Sequence, residues 1–166
     1  MRKTIAALAS AAAATMLVGG VGLASASTGP AAVSGTEHIY LMTTQPSETR
    51  YVAIMTGVFT AGGTDVSGSK VDKVELPGGT FKINHSGPLH ILKEQVNRTT
   101  CLAVFEATAT ATIGHGTGRY AGISGTAKAL INETFIARRN SKGACNPNAN
   151  PVVNEQTIVA KAHVSL

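Results

Sequence analysis

The stretch AVFEATATATI, residues 103–113, alternates apolar and polar side chains along its whole length. Its odd positions are Ala, Phe, Ala, Ala, Ala and Ile, whereas four of its five even positions are Glu or Thr. A period of two places successive side chains on opposite faces of a β-strand. A helix would need a period of 3.6, and the β-branched threonines disfavour it. The stretch therefore predicts a strand with one face on a core and the other in water.

Similar runs, separated by Gly, Pro, Asn and Ser clusters, extend this pattern over most of the chain past residue 35. The pair Gly62-Gly63 is expected to end the second run, and the polar segment 139–151 is expected to be a loop. The segment 120–138 is long enough for one strand or for two with a bend near Gly125. The other strands are predicted at 37–43, 51–60, 70–76, 80–85, 89–96 and 158–166.

Eight predicted strands joined mostly by short connections indicate an all-β domain. We expect an antiparallel barrel of about eight strands, with a β-sandwich as the alternative. Closing the sheet removes both exposed edges, which favours the barrel.

The first 26 residues have the three parts of a secretory signal peptide. Arg2 and Lys3 precede an uncharged apolar run, and Ala24-Ser25-Ala26 matches the cleavage pattern. An uncleaved anchor helix is the alternative, because the run is about 20 residues long. We therefore predict a signal peptide at 1–26, a flexible segment at 27–35 and one barrel domain at 36–166. The mature protein is expected to be secreted, without stable insertion in a membrane.

The composition after residue 26 argues against a nucleic-acid-binding protein. Twelve Lys and Arg residues face nine acidic ones there, a net charge of +3, and the chain has no Trp. Proteins that bind single strands combine a basic groove with aromatic stacking platforms. The one local basic cluster is Arg138, Arg139 and Lys142.

Cys101 and Cys145 are the only cysteines. In an exported chain, an even pair predicts a disulfide bond. Two cysteines without a Cys-x-x-Cys spacing make a poor zinc site, and the five histidines show no metal-binding spacing. We therefore expect no metal.

The most distinctive stretch is GTGRYAGISG, residues 116–125. Its Gly-x-Gly-x-x-Ala start fits a dinucleotide-binding pattern, but that mechanism needs a following helix, and the residues that follow are strand-like. We therefore expect no cofactor. The alternative is a purely structural role, because glycine permits tight turns and close backbone approach.

The same stretch resembles a segment of the allene oxide cyclase/dirigent-like barrel superfamily, to which secreted actinobacterial proteins of unassigned role are also similar. The resemblance implies a barrel in which this turn joins two adjacent long strands late in the chain. It does not extend to the superfamily's catalytic or pocket residues, so it implies no activity. The matching positions are Gly116, Thr117, Gly118, Tyr120, Gly122 and Gly125.

Two polar residues share a strand face with apolar ones and are candidate ligand-lining residues. His85 shares its side with Phe81 and Ile83, and Glu133 lies on the side of Ile131. The alternative, which we favour for Glu133, is that the Leu130–Ile136 side points inward and Glu133 faces solvent.

The leading functional hypothesis is a non-catalytic barrel that binds a small apolar ligand. The alternatives are a cyclase or isomerase with Glu133 as the acid/base, and a cell-surface interaction protein without a pocket. The sequence does not indicate an oligomeric state.

Overall fold

The computed structural model describes residues 32–43 and 49–166, and the predicted signal peptide lies outside them. The described chain is all-β, apart from a single 3-10 turn at Gly118–Tyr120. The strands are β1 (Ser34–Thr43), β2 (Arg50–Thr56), β3 (Ala61–Val66), β4 (Val71–Leu76), β5 (Gly79–Asn84), β6 (His90–Val96), β7 (Leu102–Gly114), β8 (Ser124–Ile136), β9 (Arg138–Arg139), β10 (Cys145–Asn146) and β11 (Val153–Ser165).

Eight of these strands close into an antiparallel barrel, which confirms the predicted fold class. Their order around the barrel is β1, β2, β3, β4, β5, β7, β8, β11 and back to β1. The closing seam joins β5 to β7 through only three residue pairs, of which Ile83 with Ile113 is the middle one.

The turn at 116–120 continues this seam beyond the end of β7. The Thr117 N–H donates to the Thr80 carbonyl oxygen at 2.8 Å, and the Arg119 N–H donates to the Gly78 carbonyl oxygen at 2.8 Å. Gly118 has a φ of +57°, and a Cβ there would lie 2.0 Å from the Gly78 oxygen. The turn therefore needs glycine at this position, because the two backbones are in direct contact. As the resemblance implies, it joins two adjacent long strands.

The prediction for residues 51–66 was wrong in two respects. β2 ends at Thr56, not at residue 60, and Gly62-Gly63 lies inside β3 and does not terminate a strand. A Cβ on Gly63 would lie 2.1 Å from the Glu75 carbonyl oxygen of β4. The glycine is thus explained by close approach of a neighbouring strand. The eight barrel strands include β3 and exclude β6, whereas the predicted eight did the reverse.

Other boundaries also differ from the predictions; the last strand, for example, begins at Val153 and not at residue 158. Ser34 and Gly35, assigned to a flexible segment, pair with Ser165 and Val164 as the start of β1. The segment 120–138 forms one strand, which was one of the two predicted alternatives, but β8 begins at Ser124 and ends at Ile136. The segment 139–151 is not wholly loop, because β9 and β10 form a two-residue ladder within it.

Three long strands determine the shape of the molecule. β7, β8 and β11 have 13 residues each, whereas β2 to β5 have six or seven. The long strands therefore extend past the barrel, and β6 pairs there with residues 103–108 of β7. We call β6 and the adjoining parts of β7, β8 and β11 the canopy.

The barrel interior is filled at one end and open at the other. Phe59, Phe81 and Tyr120 form an aromatic cluster with ring centroids 5.0 to 6.3 Å apart. Edge-to-face contacts of this kind add to the stabilisation from apolar burial. Phe81 and Tyr120 are almost fully buried. The cluster closes the end of the barrel remote from the canopy.

The Cys101 and Cys145 sulfur atoms lie 2.03 Å apart, the distance of a disulfide bond. The pair joins the start of β7 to β10, at the far end of the canopy. Among residues 32–43 and 49–166, no helix is long and apolar enough to cross a bilayer.

The two glycines of β3 allow a matched test of the β3–β4 contact. We expect Gly63→Ala to lower the free energy of unfolding by about 2 kcal/mol, since the added methyl group must push two strands apart. Gly62→Ala is the control, because its nearest neighbour would be 3.9 Å away, and it should change stability by less than about 0.5 kcal/mol. Urea unfolding of both variants measures the difference. Equal effects would contradict the close-approach explanation.

Candidate functional site

A cavity of about 500 Å³ occupies the upper part of the barrel, next to the canopy. Side chains from all the barrel strands except β3 line it. One wall is made of small and aliphatic side chains and the facing wall carries polar groups. The lining includes Ile39, Leu41, Tyr51, Asp72, Ile83, His85, Leu89, Ala109, Ala111, Ala127, Ala129, Ile131, Gln156, Ile158 and Ala160.

The apolar wall is built on six alanines in register. Ala129 pairs with Ala109 on one side and Ala160 on the other. Ala127 pairs in the same way with Ala111 and Ala162. Two rows of three methyl groups on adjacent strands reach only a short way into the lumen, and five of the six alanines line this cavity. The open space therefore results from the alternation first recognised at residues 103–113.

Four consecutive elements each place one polar side chain on the polar side of the barrel, and three of the four line the cavity, whereas Asp65 lies behind them. Tyr51 of β2 is paired with Asp65 of β3. Asp72 of β4 follows, and His85 lies directly after β5. Asp65 and Asp72 are only 1% and 7% exposed. Two nearly buried carboxyl groups in one barrel are energetically costly unless they are paired, protonated or hydrated.

Asp72 and His85 are joined by a side-chain hydrogen bond on this wall. The His85 Nε2 atom lies 3.0 Å from Asp72 Oδ1, and the Gly68 N–H donates to the same oxygen at 2.9 Å. The histidine side chain remains one-third exposed. The pair is thus open to the cavity and can exchange a proton with a bound molecule.

Asp65 is the more unusual carboxyl group. Its Oδ1 atom is buried and has no hydrogen-bond partner among the described residues. Burial, reinforced by the negative charge of Asp72, raises its pKa from 3.8 to about 7, and His85 opposes the shift. Asp65 is therefore close to half-protonated at neutral pH, and lies behind the cavity wall, outside the lining.

Tyr51, Gln156 and Glu133 form a hydrogen-bonded chain across the cavity mouth. The Tyr51 hydroxyl donates to Gln156 Oε1 at 2.5 Å, and Gln156 Nε2 donates to Glu133 Oε2 at 3.4 Å. Burial and the charges of Glu133, Asp65 and Asp72 raise the pKa of Tyr51. The tyrosine therefore keeps its proton and acts as a donor.

Glu133 corrects the orientation that we favoured for β8. Ala127, Ala129 and Ile131 line the cavity, whereas Ile136 is exposed. The side that carries Glu133 is consequently the inner one, and the Leu130–Ile136 side is the outer one. An inward Glu is accommodated because it lies where the barrel opens and Gln156 is its neighbour.

A second cavity, of about 370 Å³, lies along the inner face of the canopy. Glu133, Phe105 and Phe135 line it, together with Leu89, Ile131 and Gln156, which also line the barrel cavity. The two spaces thus adjoin at shared side chains. Together they form an elongated site that begins among the alanines and ends at Pro147 and Asn148.

The structure places both predicted ligand-lining residues at this site, His85 in the barrel cavity and Glu133 in the canopy cavity. Sequence reasoning missed Tyr51, Asp65, Asp72 and Gln156. Asp72 had a usable signal, since period two places it on the same side of its predicted strand as the apolar Val74 and Leu76. Asp65 had none, because its strand was not predicted.

Within the described residues, no three His, Cys, Asp or Glu side chains converge in a way that could hold a metal ion. No protein-family model, curated protein or solved structure matches the chain. The resemblance to the allene oxide cyclase/dirigent-like superfamily therefore stays a prediction, and the site must be interpreted from its own chemistry.

Asp65 predicts a characteristic dependence of stability on pH. Its folded-state pKa exceeds the unfolded value of 3.8, so the native state binds more protons between pH 4 and pH 7. Ionisation of Asp65 therefore does not affect the free energy of unfolding below about pH 4. The free energy of unfolding falls as the pH rises from 4 to about 7, and the loss is constant above that. We expect Asp65→Asn to remove this loss of stability, which amounts to on the order of a few kcal/mol in the free energy of unfolding at pH 8.

The measurement is the difference in free energy of unfolding between the two proteins from pH 4 to pH 8. The Asn variant should gain stability relative to the original chain as the pH rises. A difference that is constant with pH would show that Asp65 titrates normally.

Proposed function

We propose that this chain is an exported barrel protein that binds one small, largely apolar molecule inside the barrel. The observation that carries the proposal is the 500 Å³ cavity, lined on one side by alanine and isoleucine and closed at its far end by an aromatic cluster. Ligand sites in proteins have volumes of about 300 to 1,000 Å³ and are mostly apolar, with a few placed polar groups. An eight-stranded barrel has room for one small ligand of this kind.

The arrangement of the polar groups supports a ligand with one polar end. Tyr51, Asp72 and His85 lie on the wall that faces the alanines, and Gln156 of β11 accepts a hydrogen bond from Tyr51 across the mouth. They offer a hydroxyl, a carboxylate, an imidazole and an amide, which would fix the orientation of a ligand hydroxyl or carbonyl group. The adjoining canopy cavity would accommodate an apolar tail. The proposal rests on this lining and not on the fold, because one fold serves many functions.

Native mass spectrometry of the protein purified from its own producing cells tests the proposal directly. We expect a bound small molecule that dissociates on collisional activation. Nile red, a neutral apolar fluorophore, provides a second assay, with fluorescence enhancement on binding that saturates at one probe per chain. Absence of both the adduct and saturable Nile red binding would exclude a ligand-binding lumen.

Two neighbouring substitutions on β8 separate lumen binding from surface binding. Ala129→Phe fills the cavity and should weaken Nile red binding by about tenfold or more, since it removes space that the probe occupies. Lys128→Phe adds the same side chain to the outer face and should change the affinity for Nile red by less than about twofold. If the larger residue prevents folding, Ala129→Leu gives a smaller filling with the same expected direction. Equal effects at 128 and 129 would place the probe outside the barrel.

A second candidate is an acid–base enzyme of the cyclase or isomerase type. It is favoured by the hydrogen-bonded Asp72 and His85 side chains that line the cavity, since carboxylates and imidazoles are the usual groups in acid–base catalysis. Glu133 is a further acid/base candidate at the mouth. In this function, Asp72 or Glu133 would move a proton on the bound molecule and His85 would assist.

Because isomerisation leaves mass unchanged, the test compares the structure of the bound molecule and not its mass. Ligand released from the original protein and from Asp72→Asn and Glu133→Gln variants is compared by chromatographic retention and fragmentation. An enzyme should carry product in the original form and an isomeric substrate in at least one variant. The same compound in all three proteins would favour binding without catalysis.

A further inference from the structure

The far end of the canopy concentrates positive charge. We call residues 97–102 and 136–153 the tip. It contains Arg98, Arg138, Arg139 and Lys142 and neither Asp nor Glu. The remainder of the chain after residue 26 holds eight basic and nine acidic residues. The excess of positive charge in that part of the chain therefore belongs entirely to the tip.

The tip's four cations are not neutralised by neighbouring acids. No salt bridge among the described residues involves any of them. Arg138 Nε donates to the Asn150 carbonyl oxygen at 3.0 Å, and Arg139 donates to the carbonyl oxygens of Gly143 and Thr99. Bonds to carbonyl groups orient the guanidinium groups but leave their charge available to an external anion.

The same region exposes aliphatic side chains. Leu102, Ile136 and Val153 lie side by side in one row across β7, β8 and β11. These three and the adjacent Val152 are between 39% and 55% exposed. Water-exposed aliphatic side chains are unremarkable singly, but a row of them beside unpaired cations indicates an interaction surface.

This surface is held in shape by bonds within the tip. The sulfur atoms of Cys101 and Cys145 lie at bonding distance, and the Arg139 guanidinium bridges the loops at 99 and 143. The Val152 N–H donates to the Ile136 carbonyl oxygen at 2.8 Å. The cations and the apolar row are consequently presented together and need little reordering to bind.

We propose that the tip docks the protein onto an anionic lipid surface. Basic side chains are attracted to anionic head groups, and aliphatic side chains beside them enter the interface. A soluble anionic polymer would use the cations but not the apolar row. A second copy of the chain would bring like charges together. The mode is peripheral, in agreement with the expectation that the mature chain is not inserted in the membrane.

The position of the tip connects the proposed docking with the cavities. The canopy cavity runs to Pro147 and Asn148, which belong to the tip. A tip placed on a lipid surface would therefore bring the end of the elongated site to that surface. The docking proposal itself depends only on the tip and would stand without a ligand in the barrel.

Vesicle co-sedimentation tests the proposal with purified protein. The vesicles consist of phosphatidylcholine alone or of an equimolar mixture with phosphatidylglycerol. All protein variants are prepared with the same N-terminus, so that residues 1–26 contribute equally to the vesicle binding of each. We expect binding to the anionic vesicles that weakens with added salt, and little binding to phosphatidylcholine. Binding to both vesicle types alike, or to neither, would overturn the proposal.

Charge-reversal variants locate the surface. Arg98→Glu combined with Lys142→Glu should weaken binding by about tenfold or more, because each basic residue near an anionic surface contributes roughly a fivefold factor. Neither side chain makes a hydrogen bond or salt bridge with residues 32–43 or 49–166, and unchanged thermal unfolding would verify that the fold does not depend on them. Lys82→Glu combined with Lys128→Glu, exposed on the barrel wall, is the matched control and should have a much smaller effect. Equal losses in the two pairs would show a general charge effect and overturn the proposal.

Val152→Ser combined with Val153→Ser distinguishes a lipid surface from an anionic polymer. These substitutions keep all four cations and remove two exposed apolar groups, so vesicle binding should fall while binding to dextran sulfate is unchanged. Undiminished vesicle binding by this variant would mean that the tip recognises anionic charge alone, which would overturn the lipid proposal in favour of a polyanion.

Discussion

The seam between β5 and β7 is the contact on which the rest of the structure depends. β5 has six residues and β7 has 13, and only three pairs join them. β7 must therefore find another partner for its first half, which is β6. The second half of β7 closes the barrel by pairing with β5, whereas its first half projects beyond the barrel with the long strands β8 and β11. The cavity mouth, the canopy and the tip are all consequences of this division.

The barrel interior between the aromatic cluster and the canopy has two features that lower stability, which are small side chains and buried carboxyl groups. Six alanines leave space where larger side chains would bury more apolar surface, and on the opposite side of the barrel Asp72 on the cavity wall and Asp65 behind it are almost buried. A barrel selected for stability alone would fill that space with Leu or Ile and remove the carboxyl groups. Their presence together supports the proposal that a molecule occupies the cavity and contacts the polar wall.

The alternation of single strands was readable from the sequence, whereas the pairing between strands was not. The inward positions of β5, β7 and β11 follow directly from residues such as Phe81, Ala107 and Ala162, because period two is a local property. Gly63 was wrongly predicted to end a strand. The sequence alone does not distinguish a glycine that permits close approach of a neighbouring strand from one that terminates a strand. Glu133 was assigned to the wrong face because its side of β8 mixes alanine with a charge. Only the position of the barrel mouth explains that mixture.

The distribution of charge also bears on what the site can accept. The carboxyl groups of Asp72 and Glu133 line the two cavities, and Asp65 lies behind them, whereas the tip carries four basic residues and no acidic one. The barrel cavity is lined by Lys70 as well as Asp72, so an acidic head group would be attracted much more strongly to the four cations of the tip than to the polar wall. A neutral molecule has no such preference for the tip and can use Tyr51 and Gln156 as hydrogen-bond partners. The same electrostatic separation that would hold anionic lipids outside therefore favours a neutral ligand within the barrel.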